Sequence, residues 1–328
     1  MRSRLTVDTY VTGILNRDRV ILSRAITLVE SRLPSDRQLA EEVLDRVLPA
    51  TGKALRVGIT GVPGVGKSTF IEAFGQHITA QGTSLAVLTV DPTSQRSGGS
   101  ILGDKTRMET LSHNPLAYIR PSAAGTSLGG VAHRTREAML LCEAAGFEII
   151  LIETVGVGQS ETLVRSMTDF FLLLMLAGAG DELQGIKKGI MEMADAIAIT
   201  KADGPNQPLA QQAVSEFQNA LHLFRAADSA WTTPVVTCSA LEGEGIADIL
   251  HLIRSYEELT RRNGYFEKNR RSQNLDWMQN YIRHELEERF LNHPAVREQW
   301  ETTGQTVERG EELPLAAGRR LLRLFLSF

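Results

Sequence analysis

The sequence is poor in residues that would mark several classes of protein. Of its 328 residues only two are cysteines, Cys142 and Cys238, and they lie in a helical and a strand pattern. Two separate core-like cysteines provide neither a disulfide framework nor a clustered metal-thiolate site. Lysine and arginine number 35 against 39 aspartate and glutamate residues, so no basic excess indicates a nucleic-acid partner.

Long apolar runs are missing as well. The longest uncharged apolar run, residues 170–180, is far shorter than the ~20 residues that a membrane-spanning helix needs. The first residues, 1–5, are not followed by the apolar region of a secretory signal. We therefore expect a cytoplasmic protein with no membrane partner and no nucleic-acid partner.

What the sequence does contain is a complete phosphate-binding loop. Residues 61–68 fit the pattern G-x-x-x-x-G-K-[ST] at every fixed position, between an apolar run and an amphipathic run. A strand, a glycine-rich loop and a helix would aim backbone N–H groups at a phosphate, whereas a plain glycine-rich turn is the structural alternative. Lys67 is expected to reach the β- and γ-phosphates, and Ser68 to ligate Mg²⁺. The predicted nucleotide-binding residues of this loop are Gly61, Val62, Pro63, Gly64, Val65, Gly66, Lys67, Ser68 and Thr69.

From residue 54 onward, short β-rich runs alternate with helical patterns. Such alternation predicts an α/β fold, a P-loop NTPase with a mostly parallel sheet flanked by helices. Ligands of such sheets bind at the carboxyl ends of the strands, so the residues after each strand carry the function. The predicted strands are residues 55–60, 85–90, 117–120, 149–154, 170–176, 196–200 and 235–239.

A helical N-terminal extension, residues 1–50, is predicted before the nucleotide-binding domain. One buried face over residues 7–49 is indicated by Val20, Ile21, Ala25, Ile26 and Val29. Ser35 and Gln38 have the spacing of a capping box and predict the start of a further helix. The apolar face of that helix would comprise Leu39, Val43, Leu44 and Val47.

The nucleotide-binding domain is expected to span residues 51–262, and a helical segment, residues 263–328, follows it. The closing helix of the domain is indicated by Ile246, Ile249, Leu250 and Ile253. The last segment has its own apolar stripe, formed by Leu275, Met278, Ile282, Leu286 and Phe290. Such a stripe forms either the segment's own core or a subunit interface.

Acidic residues follow two of the predicted strands. Asp91 comes directly after residue 90, and Asp104 lies in the glycine-rich stretch beyond it. A carboxylate at this edge can hold Mg²⁺ through water or position an attacking water. An Asp-Pro turn is the alternative for Asp91, and helix capping is the alternative for Asp104. Glu153 ends a buried strand and Gly156 follows three residues later, as in hydrolases that sense the γ-phosphate through a backbone N–H.

A glycine-rich loop, residues 177–189, follows the next strand and contains Lys187 and Lys188. The two lysines form either a solvated helix face or a pair that approaches the triphosphate. The predicted catalytic residues are Lys67, Asp91, Asp104, Glu153, Gly156 and Lys188. The predicted metal ligands are Ser68, Asp91, Asp104 and Glu153.

The base-reading element is predicted after the last two strands. Asp203 would accept from N1–H and the exocyclic amine of guanine, a donor pair that adenine lacks. The stem of Lys201 would lie on the purine face, and the turn that begins at Ser239 would donate to guanine O6. We therefore expect GTP and GDP rather than ATP as the bound nucleotide. The predicted base-binding residues are Thr200, Lys201, Asp203, Ser239, Ala240 and Leu241.

These segments together resemble the MeaB/ArgK family of P-loop GTPases, which includes the mitochondrial protein MMAA. The resemblance spans nearly the whole chain, and its last two segments are very specific to the family. The five segments that carry the resemblance are residues 61–68, 90–92, 103–108, 153–161 and 180–189.

The resemblance implies a homodimeric, Mg²⁺-dependent GTPase that hydrolyses the phosphoric anhydride bond of GTP. It also implies a chaperone for an adenosylcobalamin-dependent methylmalonyl-CoA mutase, gating cofactor loading, protection or reactivation. The implied dimerisation arm is residues 263–328. One departure is Thr200, where the family usually has Asn, so a contact that braces the base and the phosphate loop is altered.

Three other functions are weighed against this chaperone. A nickel-delivering GTPase for metallocentre assembly would display a Cys or His cluster near its switch loops, which this sequence lacks. A protein kinase of a periplasmic amino-acid transport system, an old label in this family, would need a site for a protein acceptor. A plain nucleotide-binding module would not need the Mg²⁺ carboxylates.

Overall fold

The computed structural model describes residues 4–31, 33–90, 108–121, 128–154, 160–178, 188–222, 224 and 228–326. The chain divides into two compact units, residues 1–273 and residues 274–328. The predicted boundary between residues 262 and 263 stays a prediction. Across these described ranges, no helix is both long enough and apolar enough to pass through a bilayer.

Three helices precede the sheet: α1 (Val7–Leu15), α2 (Arg19–Val29) and α3 (Pro34–Val47). Helices α2 and α3 both pack against a later helix, α6 (Leu128–Ala144). The predicted face of α2 is wrong at one position, because Val20 is 68% exposed and Leu22 is fully buried instead.

The predicted capping box at the start of α3 is also wrong. The helix begins at Pro34 with Leu33 as its N-cap residue, and no described side chain caps it. Proline suits the first helical turn because its missing N–H would have no partner there. The helix therefore begins before Ser35, which leaves that residue inside the first turn.

The described strands form one seven-stranded parallel sheet in the order β3-β2-β4-β1-β5-β6-β7. This confirms the predicted α/β architecture, and four strands have the predicted bounds. The last strand is shorter than predicted, since it ends at Thr237. The strands are β1 (Leu55–Gly61), β2 (Leu85–Val90), β3 (Ala117–Pro121), β4 (Ile149–Thr154), β5 (Phe170–Leu176), β6 (Ala196–Thr200) and β7 (Val235–Thr237).

Helices connect the strands and cover the sheet. Two short 3₁₀ turns, Leu48–Ala50 and Gly204–Asn206, complete the connections. Besides α6, the helices of this region are α4 (Lys67–Ala80), α5 (Glu109–His113), α7 (Ser160–Arg165), α8 (Lys188–Met193), α9 (Gln207–Leu221) and α10 (Ile246–Arg262).

Both faces of the sheet are buried, which explains why its strands are continuously apolar. Along β2, Ala86 and Leu88 join the core on the side of α1, α2, α3 and α6. Leu85 and Val87 alternate with them and join the core on the side of α4 and α10. A third cluster packs β5 and β6 against α9. The two-residue alternation of the strands thus fixes β1, and with it the phosphate loop, in the middle of a covered sheet.

The last helices are α11 (Tyr265–Asn292), α12 (Pro294–Glu308) and α13 (Pro314–Leu326). Within residues 274–328, α12 packs against α13. Phe290 meets Trp300 and Phe325 in edge-to-face contacts, with ring centroids 6.4 and 5.5 Å apart. Phe290 therefore packs within its own unit, while Leu275, Met278, Ile282 and Leu286 are 48–58% exposed.

Candidate nucleotide-binding site

The phosphate loop lies between β1 and α4, as predicted. Gly61 ends the strand where the chain runs against β5: a Cβ atom there would lie 2.5 Å from the carbonyl oxygen of Leu174. Gly66 has φ +95° and precedes the first residue of α4, so a side chain at this position would strain the backbone. No described side chain caps α4, which leaves its first N–H groups available to an anion.

Lys67 is held over the loop that precedes it. Its Nζ donates to the carbonyl oxygens of Gly61 (2.8 Å) and Val62 (3.2 Å). Burial lowers the pKa of Lys67 from its ordinary value, and the negative charges of Glu153 and Glu161 act in the opposite direction. The ammonium group is therefore partly buried, and among the described residues the carboxylates of Glu153 and Glu161 favour its charged form.

Ser68 and Glu153 come together from opposite sides of the loop. The Ser68 hydroxyl donates to Glu153 Oε1 at 3.3 Å, and the Glu153 residue is only 7% exposed. In the sheet register Glu153 pairs with Ile59 on β1, two residues before the phosphate loop begins at Gly61. A hydroxyl and a carboxylate oxygen are ligands that Mg²⁺ accepts, so these two residues fit the metal predicted for this site.

The predicted base-reading residues meet at the ends of β6 and β7. Ser239 Oγ donates to Asp203 Oδ2 at 2.5 Å, and the backbone N–H of Glu242 donates to Ser239 Oγ at 3.1 Å. This chain of hydrogen bonds orients the Asp203 carboxylate. Leu241, in the same turn, is 81% exposed and offers an apolar surface beside it.

Two residues join the base-reading element to the phosphate loop. Lys201, at φ +55°, extends its Nζ to the carbonyl oxygen of Gly64 at 2.9 Å. The buried hydroxyl of Thr200 lies 2.8 Å from the carbonyl oxygen of Val65 and 3.2 Å from that of Met175. Thr200 thus contacts the phosphate loop itself, although its single hydroxyl proton can serve only one acceptor fully at a time.

Several predicted site residues lie outside the described residues: Asp91, Asp104, Gly156 and Lys187. Lys188 begins α8, and only its backbone is described. The roles predicted for these five residues stay predictions.

Glu161 was not among the predicted site residues, although the structure places its buried carboxylate near Lys67. The only signal in the sequence was an acid in the segment after Glu153. Its burial depends on the packing of α7, which a local pattern does not reveal. Among the described residues, no group of three or more His, Cys, Asp or Glu side chains is arranged to hold a metal.

Fold and site together define a P-loop nucleoside triphosphatase. The family model described as methylmalonyl-CoA mutase-associated GTPase MeaB matches residues 22–295. The chain belongs to this family and is a GTPase.

Relatives from bacteria and an animal cover most of the chain. A probable GTPase of Mycobacterium tuberculosis is 48% identical over 97% of this chain and 95% of its own length. GTPase ArgK of Escherichia coli is 45% identical over 92% of this chain and 90% of its own length. The mitochondrial methylmalonic aciduria type A homolog of Mus musculus is 46% identical over 98% of this chain and 80% of its own length.

A solved structure described as a LAO/AO transport system kinase has the same fold. It is 35% identical to this chain, with a TM-score of 0.77, and the similarity covers 99% of each chain.

Proposed function

We propose that this GTPase is a chaperone that binds an adenosylcobalamin-dependent methylmalonyl-CoA mutase and uses GTP hydrolysis to gate loading, protection or reactivation of the cofactor. The observation that carries the proposal is the family match over residues 22–295, because the family is described by its association with that mutase. The similarity to the mouse homolog over 98% of this chain supports the same assignment.

The chemistry of the site is that of phosphoryl transfer to water. Lys67 and the N-terminal N–H groups of α4 bind the phosphates, and Ser68 with Glu153 would hold Mg²⁺. When bound, Mg²⁺ neutralises negative charge on the β- and γ-phosphate oxygens. Asp203, oriented by Ser239, selects guanine, and Lys201 ties the base-reading turn to the phosphate loop.

The substitution Lys67→Ala tests the phosphate-binding role. It removes a charge from the phosphates and no apolar contact from the core, so tight GTP binding and hydrolysis should be lost while the helical circular dichroism is unchanged. Lys53→Ala removes an exposed lysine just before β1 and should bind GTP like wild type. Wild-type hydrolysis in Lys67→Ala would contradict the assignment of the phosphate loop.

The chaperone role is tested by mixing the purified protein with the methylmalonyl-CoA mutase of its own organism. Gel filtration with GDP or a non-hydrolysable GTP analogue should show a complex. Exchange of GDP for the analogue should change how much adenosylcobalamin the mutase takes up. The absorbance of the bound adenosylcobalamin measures this uptake. Separate elution with every nucleotide, together with unchanged cofactor uptake, would contradict the proposal.

A kinase is the second candidate, because the similar solved structure is described as a transport system kinase. A kinase would transfer the γ-phosphate to a protein acceptor, whereas the chaperone would release it as free phosphate. Incubation with γ-labelled GTP or ATP and periplasmic amino-acid-binding proteins separates the two. Labelled protein would support the kinase, and free phosphate alone would support the GTPase chaperone.

A homodimer is part of the proposal. The stripe of Leu275, Met278, Ile282 and Leu286 on α11 stays about half exposed, although it continues over three turns of one helix face. Soluble proteins rarely leave such a continuous apolar stripe open. A second copy of the chain, packed against this stripe in a symmetric contact, would cover it.

A further inference from the structure

Glu161 is a buried carboxylate that the phosphate-loop chemistry described above does not use. It is the second residue of α7 and is 4% exposed. Its Oε2 atom is buried and has no hydrogen-bond partner among the described residues. A buried carboxylate oxygen without a partner is costly, so its presence indicates a group that the protein binds there.

Lys67 is not shown as a hydrogen-bond partner of Glu161 Oε2. The carboxylate of Glu161 is near enough to favour the charged form of Lys67, together with that of Glu153. Among the described residues, however, Lys67 Nζ donates its hydrogen bonds to the carbonyl oxygens of Gly61 and Val62. Within the described ranges no ion pair shorter than 4.0 Å includes Glu161. Two buried carboxylates therefore act electrostatically on one ammonium group whose hydrogen bonds go to backbone carbonyls, so their negative charge favours a further cation.

The nature of that cation follows from the chemistry of the site. Ser68 and Glu153 supply hard oxygen ligands, and Mg²⁺ bound by one or two protein oxygens and phosphates keeps several water molecules. Those waters donate hydrogen bonds, and a buried carboxylate oxygen is a strong acceptor for them. Carboxylates in this outer position orient the ligands around a metal and raise its affinity.

We propose that Glu161 is a positioning residue of the nucleotide site, whose Oε2 accepts hydrogen bonds from water molecules of the bound Mg²⁺ beside Ser68 and Glu153. This inference rests on the proposed Mg²⁺-dependent function. It assigns Glu161 to the metal rather than to proton abstraction from the attacking water, and it requires no contact between Glu161 and the nucleotide.

The test compares nucleotide affinity with and without Mg²⁺ in wild type and Glu161→Gln. Binding of a non-hydrolysable GTP analogue is measured by calorimetry in Mg²⁺ and in EDTA, so that no chemical step contributes. Removing an outer carboxylate typically lowers metal affinity about 10- to 100-fold. We expect the Mg²⁺-dependent gain in affinity to fall by about tenfold or more in Glu161→Gln, while affinity in EDTA stays the same or rises.

Two comparison variants and a melting curve separate this role from a structural one. Glu161→Asp keeps the charge and should recover part of the Mg²⁺ effect. Glu258→Gln removes an exposed carboxylate on α10 and should match wild type. Without nucleotide and metal, Glu161→Gln should melt no lower than wild type, because the amide removes an unpaired buried charge.

Three results would overturn the proposal. An equal loss of affinity in Mg²⁺ and EDTA with a lower melting temperature would mean that Glu161 is structural. An unchanged Mg²⁺ effect with slower hydrolysis would mean that it acts on the attacking water. Wild-type affinity that does not depend on Mg²⁺ would contradict the metal in the proposed function as well, whereas the first two results leave that function intact.

Discussion

Thr200 is the base-site residue that contacts the phosphate loop directly. Its hydroxyl reaches the Val65 carbonyl oxygen in the phosphate loop at 2.8 Å. Thr200→Val keeps the shape and removes the donor, which should weaken GDP binding by about 0.5–1.5 kcal/mol. Thr200→Asn should bind GDP about as tightly as wild type, since the amide group also donates a hydrogen bond. Calorimetric affinities equal to wild type in Thr200→Val would show that this contact does not brace the loop.

Asp203 is the residue proposed to select the base. Its carboxylate is oriented by Ser239 Oγ at 2.5 Å and matches the two donors of guanine. Asp203→Asn should weaken GTP binding by several kcal/mol at most and favour xanthosine triphosphate, because the amide donates to the carbonyl that replaces the guanine amine. Competition binding with GTP, ATP and xanthosine triphosphate measures this. An undiminished preference for GTP over ATP would mean that the base is recognised elsewhere.

At the scale of elements, the strands could be predicted closely because both faces of the sheet are buried. An unbroken apolar run such as residues 170–176 permits few alternatives once helices flank it. The first residues of helices were harder to predict. Helix α3 begins at Pro34, and the Ser35–Gln38 spacing that suggested a capping box begins inside its first turn. Local spacing alone could not distinguish these two starts.

Contacts between residues far apart in the sequence could not be predicted. The phosphate loop, Glu153 and Asp203 could be proposed as site residues because each belongs to a short pattern at a strand end. The contacts of Lys201 with Gly64 and of Ser239 with Asp203 depend on the order of strands in the sheet. The sequence contained these residues but no local signal of their pairing.

The start of α11 shows such a contact, which anchors the helix to the sheet. Arg270 is paired with Asp169 at 2.6 Å and donates to the carbonyl oxygens of Gly52 and Ala54. Asp169 lies just before β5 and its side chain is 2% exposed. Removing the arginine would leave this carboxylate buried without its charged partner.

Arg270→Met should therefore lower the free energy of unfolding by about 3 kcal/mol or more. Arg271→Met changes the exposed neighbour and should stay within about 0.5 kcal/mol of wild type. The midpoints of urea unfolding give the comparison. Equal midpoints for the two variants would show that the buried pair does not stabilise this end of the sheet.

At the scale of the whole molecule, the exposed stripe on α11 carries the proposed dimer. Ile282 lies in the stripe and is 48% exposed, so Ile282→Asp would place a charge in the subunit interface. We expect that variant to be a monomer that still binds GDP. Asn280→Asp adds the same charge two residues away, on a different side of the helix, and should remain a dimer. Analytical ultracentrifugation at micromolar concentration decides this, and a monomeric wild type would refute the dimer directly.

Slow hydrolysis by the isolated protein follows from the proposed function. Val157 stands where many small GTPases carry a water-orienting glutamine. We expect unassisted turnover in the range of ~10⁻⁴ to 10⁻² s⁻¹. The partner would complete the site, and Lys188 is the residue proposed to neutralise charge on the transferring phosphoryl group.

The most direct measurement is the rate of phosphate release from GTP with and without the cognate methylmalonyl-CoA mutase. We expect the mutase to accelerate hydrolysis by the wild-type protein, and Lys188→Ala to lose most of this acceleration while keeping its basal rate. Lys53→Ala, which changes an exposed lysine before β1, should be accelerated like wild type. A mutase that leaves the rate of the wild-type protein unchanged would contradict the proposed chaperone role.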